Sequence, residues 1–390
     1  MRILMIDDSR AKQSKVRELV SGWLTPIVVQ FDICESLAET AKQINVQKYD
    51  LIIIDLLLPF TSGGPTQNIT GELINLVRTN HNNKDAYLIA LSEHKEIVES
   101  ELRRFIECGI ICLHYDDINS KWESTLELYI TRIRNRDFVD FMIVCALDKE
   151  LRAYSETTAK IGSRTSHRDL EVVFIDIGQY KGIGIKLPTM GPVSCAVTTS
   201  KAIEVFSPKF VAMSGICAGI QENSKMGQLI IAGSSWDYQS GKWTKDKFEG
   251  EAYPVEILEN TRVNLSSFIE RDGLIDKLEA GLECARPQIK NKPKIAPLAS
   301  GSAVLAQAEK VTFVAEQHRK AAGIDMEMYG LYRAVTLSAR NDVQFFGAKA
   351  VVDFGDEVKS DALQEYGAIV SARFVCEALQ QLLDHSQGSM

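Results

Sequence analysis

The chain has no run of about 18 consecutive apolar residues, so no stretch reads as a membrane-spanning helix. Its opening, MRILMIDDSR, reaches two acids by position 8, unlike a secretory signal. None of the eight cysteines forms a CxxC pair. Cys108 and Cys112 stand four apart, but no His/Cys cluster joins them as zinc would require. Positive charge is not in excess either: 44 Lys and Arg face 52 Asp and Glu, a net charge of −8. These absences exclude a zinc motif and give no footprint for nucleic acid or an anionic membrane. They fit reduced thiols in a cytoplasmic protein.

What is present is ordinary globular composition, 45% hydrophobic and 25% charged over 390 residues. At roughly 100–200 residues per domain, two or three domains are expected. Residues 1–137 alternate strands with helices. Strands are expected at Arg2–Ile6, Ile27–Ile33, Leu51–Ile54, Tyr87–Leu91 and Ile110–Leu113. Helices are expected near Arg10–Trp23, Ser36–Val46, Gly71–Thr79, Glu96–Glu107 and Lys121–Arg134, with a long loop over Leu58–Thr70. That order predicts a doubly wound parallel sheet.

The acids fall where such a sheet places ligands, at the carboxyl ends of strands. Asp7, Asp8 and Asp55 all stand there. Three clustered carboxylates repel one another, and a divalent cation such as Mg²⁺ relieves that repulsion. One carboxylate can then accept a phosphoryl group, with Ser92 at the next strand end placed to hydrogen-bond it.

Residues 138–390 form a second α/β domain with a mixed sheet. A strand is expected at Phe138–Ala146, and a pair around Leu170–Ile177 and Lys181–Leu187. A helix is expected at Val193–Phe206. Phe210–Met213 reads as a strand running into a turn of small residues, Ser214–Gly219. Residues 233–295 read as polar and irregular, with a helix near Arg262–Leu282. The apolar stretch Phe345–Val352 is a buried strand that stops at Asp353, and Tyr366–Leu383 is the closing helix. Glu150, Glu327 and Asp353 sit at strand or turn ends. Three spaced carboxyls suit glycosidic hydrolysis: one protonates the leaving group, one activates water and one accepts from sugar hydroxyls. Spacing alone leaves open that these acids are solvated or cap helices.

The motifs carry two resemblances. IDDS at 6–9, IIIDLLLP at 52–59 and ALSE at 90–93 resemble a response-regulator receiver domain. That resemblance implies Asp55 as phosphoacceptor, Asp7, Asp8 and Asp55 as Mg²⁺ ligands, and Ser92 as the switch hydroxyl. It also implies an upstream histidine kinase or phosphotransfer protein as donor. One departure is that receivers place a lysine just after the fifth strand, where this chain reads CLHYDD and offers only His114.

IVCALDKEL at 143–151, TMGPVSCAVTTSKAI at 189–203, SGICAGI at 214–220, GIDMEMYGLYRA at 323–334 and VVDFGD at 351–356 resemble the nucleoside phosphorylase superfamily. The methylthioadenosine/S-adenosylhomocysteine nucleosidase branch is the nearest in pattern. Position by position, the resemblance makes Glu150 the water-activating acid and Asp353 the acid at purine N7. Met326 and Glu327 fall on the ribose-contacting pair, and Gly215 and Ile216 lie beside the ribose. It requires no cofactor for this chemistry and implies a homodimer or higher homo-oligomer. The sequence departs from the pattern at ALDKEL and at Val352, where serine is common.

A receiver joined to such a domain resembles the effectors of bacterial antiviral two-component-like systems of the Detocs type. This implies an adenine nucleotide substrate, ATP, cleaved to adenine and ribose 5′-triphosphate. A triphosphate calls for a basic wall, for which Lys181, Lys186, Arg262, Lys292, Lys294 and Arg333 are candidates. Two other readings are a methylthioadenosine-type nucleosidase under two-component control and a non-catalytic nucleotide sensor.

Overall fold

The computed structural model describes residues 1–25, 28–80, 82–83, 86–108, 110–134, 139–338, 343–357 and 361–388. The chain divides into two compact units, Met1–Asn135 and Arg136–Met390. The expected boundary at Asp137 and the start of the expected strand at Phe138 lie outside the described residues, as does Ile27.

The first unit is a five-stranded parallel sheet in the order Gln30–Cys34, Arg2–Ile6, Leu51–Ile54, Tyr87–Ser92, Ile111–His114. The central strands Leu51–Ile54 and Tyr87–Ser92 are buried along almost their whole length, as strands covered on both faces must be. Two apolar clusters fill the two sides. One gathers Leu4, Ile52 and Leu88 with Leu73 and Phe105. The other gathers Met5, Ile53 and Ile89 with Val16, Val20 and Leu126. Alternate residues of one strand go to opposite clusters, as the pleat dictates. The segment expected to be a loop, Leu58–Thr70, instead contains a short hairpin that pairs Leu57–Pro59 with Thr66–Asn68.

The second unit is built on a ten-stranded mixed sheet. Strand Phe210–Gly219 lies at its centre, paired in parallel with Phe141–Cys145 and with Gln344–Asp353. The expected turn at Ser214–Gly219 is therefore strand: its small residues let it pack between close neighbours rather than reverse the chain. The irregular stretch 233–295 also carries more order than its polarity suggests. It completes Leu229–Asp237, adds short strands at Gly241–Trp243, Phe248–Gly250 and Val255–Glu256, and holds helices Glu259–Ile269 and Leu274–Leu278. Strand Lys160–His167 and helix Ala308–Gln317 were not expected. The strand is exposed along nearly its whole length and the helix buries only Val314, so neither carries a strong apolar signal.

All eight cysteines are free thiols. Among the described residues no helix is long and apolar enough to cross a membrane.

Candidate active site

In the second unit the carboxyl ends of the central strands open into a cavity of about 280 Å³. Glu150, Ile216, Met326, Glu327 and Asp353 all line it, together with Asp325 and Lys349. Residues far apart in the chain are brought together because two strands end there and two helices begin there. Strand Gln344–Asp353 delivers Lys349, Val352 and Asp353. Strand Gly323–Asp325 and the following helix Met328–Thr336 deliver Asp325, Met326 and Glu327. The short helix Asp148–Arg152 delivers Glu150.

Glu150 is buried and fixed by the backbone. Its Oε2 accepts from the N–H groups of Ala146 and Leu147 at 2.8 Å each, and its Oε1 accepts from the Ile216 N–H at 3.0 Å. Carboxylates suit the unsatisfied N–H groups that open a helix. Gly215 is required by this arrangement. Its φ of +150 is rarely adopted by other residues, and a Cβ there would overlap Glu150 Oε1. Gly215 N–H donates to Ser371 Oγ at 3.0 Å.

Lys349 is fully buried and is the centre of the cluster. Its Nζ lies 3.5 Å from Asp325, 3.6 Å from Glu327 and 4.0 Å from Glu150. Burial opposes its charge, but the three carboxylates outweigh burial and hold its ammonium above the ordinary range. Glu327 is pushed up to about 7, first by burial and then by Asp325 and Glu150, against the opposing pull of Lys349. Its Oε1 accepts from the Gly191 N–H at 3.1 Å. Asp325 accepts from Ser300 Oγ at 2.6 Å and from the N–H of Met328, the first residue of its helix, at 3.0 Å. Asp353 is buried at the strand end, and its Oδ1 accepts from the Gly355 N–H at 2.8 Å.

Asp325 and Lys349 were missed from the sequence. Lys349 had a visible signal: it is the one charge inside the apolar run FFGAKAVV, where a buried lysine needs acids beside it. The expected basic wall is a correction in the other direction. None of Lys181, Lys186, Arg262, Lys292, Lys294 and Arg333 is among the described residues lining the cavity. Lys181 pairs with Asp176, and Arg262 with Glu256 and Glu259. Lys294 donates to the Asn223 carbonyl.

The first unit holds a second cluster. Asp7, Asp8 and Asp55 each place a carboxylate oxygen within 4.8 Å of the others. Asp7 and Asp55 are buried and Asp8 is exposed. Ser92 donates to Asp55 Oδ1 at 2.7 Å, and the Leu56 N–H donates to the same oxygen at 2.6 Å. A buried cation also belongs to the cluster. Lys12, from helix Arg10–Leu24, is fully buried with Nζ 2.8 Å from both Asp7 Oδ2 and Asp55 Oδ2. His114 instead puts its Nε2 3.1 Å from the Glu93 carbonyl oxygen. Burial raises the Asp7 carboxyl to about 6 against the opposing effect of Lys12. With Lys12 included, the three carboxylates keep a formal charge of −2. That charge and the all-oxygen donor set fit one Mg²⁺ ion, with Asp8 reachable from solvent.

Comparison with known proteins agrees with the second unit's architecture. The S-adenosylhomocysteine nucleosidase of Streptococcus pyogenes, solved with 5-methylthiotubericidin, superposes with a TM-score of 0.50 at 13% identity. It covers 63% of this chain and 98% of that one. The methylthioadenosine/S-adenosylhomocysteine nucleosidase of Colwellia psychrerythraea, solved with adenine, gives 0.50 at 15% identity over 63% and 97%. These likenesses show a shared nucleosidase-like fold. Among sequences, the uncharacterized protein y4jS of Sinorhizobium fredii is 28% identical over 424 residues, covering 98% of this chain and all of that protein. ATP nucleosidase Cap17 of Escherichia coli is 25% identical over 215 residues, which is 52% of this chain and 42% of Cap17. The chain thus spans less than half the length of Cap17. Residues 140–384 match the phosphorylase superfamily along nearly the whole second unit, and the chain belongs to that superfamily.

Proposed function

We propose that the second unit hydrolyses the N-glycosidic bond of an adenine nucleotide, ATP, releasing adenine and ribose 5′-triphosphate. The observation that carries this reading is the convergence of Glu150, Glu327 and Asp353 on one cavity around a buried lysine. In this mechanism Asp353 donates a proton or hydrogen bond to purine N7. The C1′–N9 bond breaks and its electron pair leaves with adenine. Glu150 orients a water and takes its proton as the oxygen bonds to C1′. Glu327 accepts from the 2′- and 3′-hydroxyls, with Met326 beside it, while Gly215 and Ile216 let the backbone approach the ribose. Hydrolysis is favoured over phosphorolysis because the cavity's acids would repel phosphate. Its one described cation, Lys349, already faces three carboxylates. ATP as substrate is supported by the similarity to Cap17.

One observation favours a second reading, a methylthioadenosine-type nucleosidase. Met190, Val304 and Leu305 line the cavity, and an apolar edge suits a 5′-alkylthio group better than a triphosphate.

The first unit, in this proposal, is a receiver that switches the enzyme. Asp55 accepts the phosphoryl group from a histidine kinase or phosphotransfer protein, and Ser92 hydrogen-bonds it. Asp7, Asp8 and Asp55 would hold Mg²⁺, which offsets the charge that builds during transfer. The fused chain then acts as an antiphage effector in the cytoplasm, as a homodimer or higher homo-oligomer.

The test is adenine release by the purified protein from ATP and from methylthioadenosine separately, with Mg²⁺ and with or without beryllofluoride. Adenine from ATP, increased by the phosphoryl mimic, is the expected result. Release from methylthioadenosine alone would establish the second reading, and release from neither would favour a nucleotide sensor. Asp353→Ala should abolish release while leaving nucleotide binding measurable by calorimetry; unchanged turnover would remove Asp353 from its role.

A further inference from the structure

We infer that Lys12, delivered by the first helix, is the cation that binds the phosphoryl group on Asp55. The inference rests on the reading of Asp55 as the phosphoacceptor. Lys12 Nζ touches the acceptor carboxylate itself, at 2.8 Å from Oδ2. An ammonium carries three donors. Two are directed at Asp55 and Asp7, which leaves one for a new oxygen. The ammonium is also held in place from the far side of the site. Its Nζ lies 5.5 Å from the centre of the Tyr115 ring, and Tyr115 is the residue that follows the fifth strand. Tyr115 is buried, its ring lies tilted with its centre 4.8 Å from that of Trp122, and it donates its N–H to the Ser92 carbonyl at 2.8 Å. The end of the fifth strand therefore presents an aromatic face to the lysine rather than a lysine of its own.

The charge balance gives Lys12 its task. A phosphohistidine or acyl phosphate donor delivers its phosphoryl group to an Asp55 oxygen. The new P–O bond forms as the bond from phosphorus to the leaving nitrogen or oxygen breaks, and the electron pair departs with the leaving group. One charge on Asp55 becomes two on the acyl phosphate, in a site whose other described residues are acids and hydrogen-bond donors. Lys12 is the buried cation there, and it keeps its protons throughout. A charge-assisted hydrogen bond from Lys12 to a phosphoryl oxygen meets the added charge. Ser92 serves the opposite oxygen of Asp55.

The experiment uses the full chain with acetyl phosphate, Mg²⁺ and intact-mass detection of the phosphorylated form, with Asp55→Ala as the blank. Mg²⁺ affinity is measured separately by titration calorimetry without a phosphodonor. Lys12→Met should slow labelling about tenfold or more, the loss of a hydrogen bond to a charged group. It should also bind Mg²⁺ about tenfold more tightly, because a competing positive charge has gone. Lys12→Arg should recover part of the labelling. Opposite changes in the two readouts distinguish this role from a structural one, in which both would fall; that parallel fall would overturn the inference, as would wild-type labelling of Lys12→Met. If wild-type protein binds Mg²⁺ but takes no phosphoryl group, the acceptor reading of Asp55 fails and this inference with it. Should Lys12→Met not fold, Lys12→Gln carries the same two measurements.

Discussion

At neutral pH Glu327 sits close to its own titration point, because burial raises its carboxyl to about 7. The folded protein therefore holds a proton that the unfolded chain releases near 4.5. Glu327 contributes stability that is fully present below the unfolded value and is lost as pH rises through 7. The contribution is on the order of 3 kcal/mol. Denaturant unfolding from pH 5 to 8 should show wild-type stability falling relative to Glu327→Gln, whose amide does not titrate. Parallel curves would mean that Glu327 ionises near its ordinary value. The same residue illustrates what sequence can reveal about a site. That Glu150, Glu327 and Asp353 belong to one site was legible because each lies within a recognisable motif, and all three line one cavity. Asp325 was not, because its neighbours only become visible when strand Gly323–Asp325 pairs with Lys294–Ser300, which brings Ser300 to it, and Lys349 reaches it from strand Gln344–Asp353.

Strand Phe210–Gly219 shows how an element can be misread for a physical reason. Its run SGICAG looks like a turn because it lacks bulky side chains, yet it pairs with Gln344–Asp353 up to Asp353. Of these small residues, Gly215 is the one that lets Glu150 approach. Gly215→Ala should therefore push Glu150 off the Ile216 N–H. We expect adenine release to fall at least about tenfold and stability to fall by about 1–3 kcal/mol. A variant with wild-type turnover would show that the strand can yield around a methyl group. Helix Arg10–Leu24 carries a signal that sequence could have supplied. Lys12, Val16, Val20 and Leu24 recur every fourth residue and are all buried. A lysine on that stripe must find acids under it, and Asp7 and Asp55 are the acids that end the adjoining strands.

The whole chain is two units with separate apolar cores, one pair of clusters in the first and a large cluster with a smaller one around Trp236 in the second. Alternation of strands and helices made the first unit's order legible almost element by element. The second unit was harder, because a mixed sheet mixes near and distant partners and its exposed strands lack apolar pattern. Ligands that act on different units should stabilise them separately. Scanning calorimetry of the full chain should show one transition raised by adenine and another raised by Mg²⁺ with beryllofluoride. A single transition raised by both would mean that the two units unfold together.

The cavity also divides by how freely its walls can change. Met190 and Val304 line it while remaining 48% and 57% exposed, whereas Glu150, Lys349 and Asp353 are locked in the core. Substitutions at the first two should be tolerated for folding, so under the proposed function a lineage or an engineer could retune the pocket for the substrate's 5′ end while keeping the acids of the core. Random libraries at positions 190 and 304, selected for adenine release from nucleosides with different 5′ groups, should return folded enzymes of altered preference. Libraries at 150, 349 and 353 should return almost none. On this reading, the protein offers evolution a place to vary that leaves the buried core of the cavity alone.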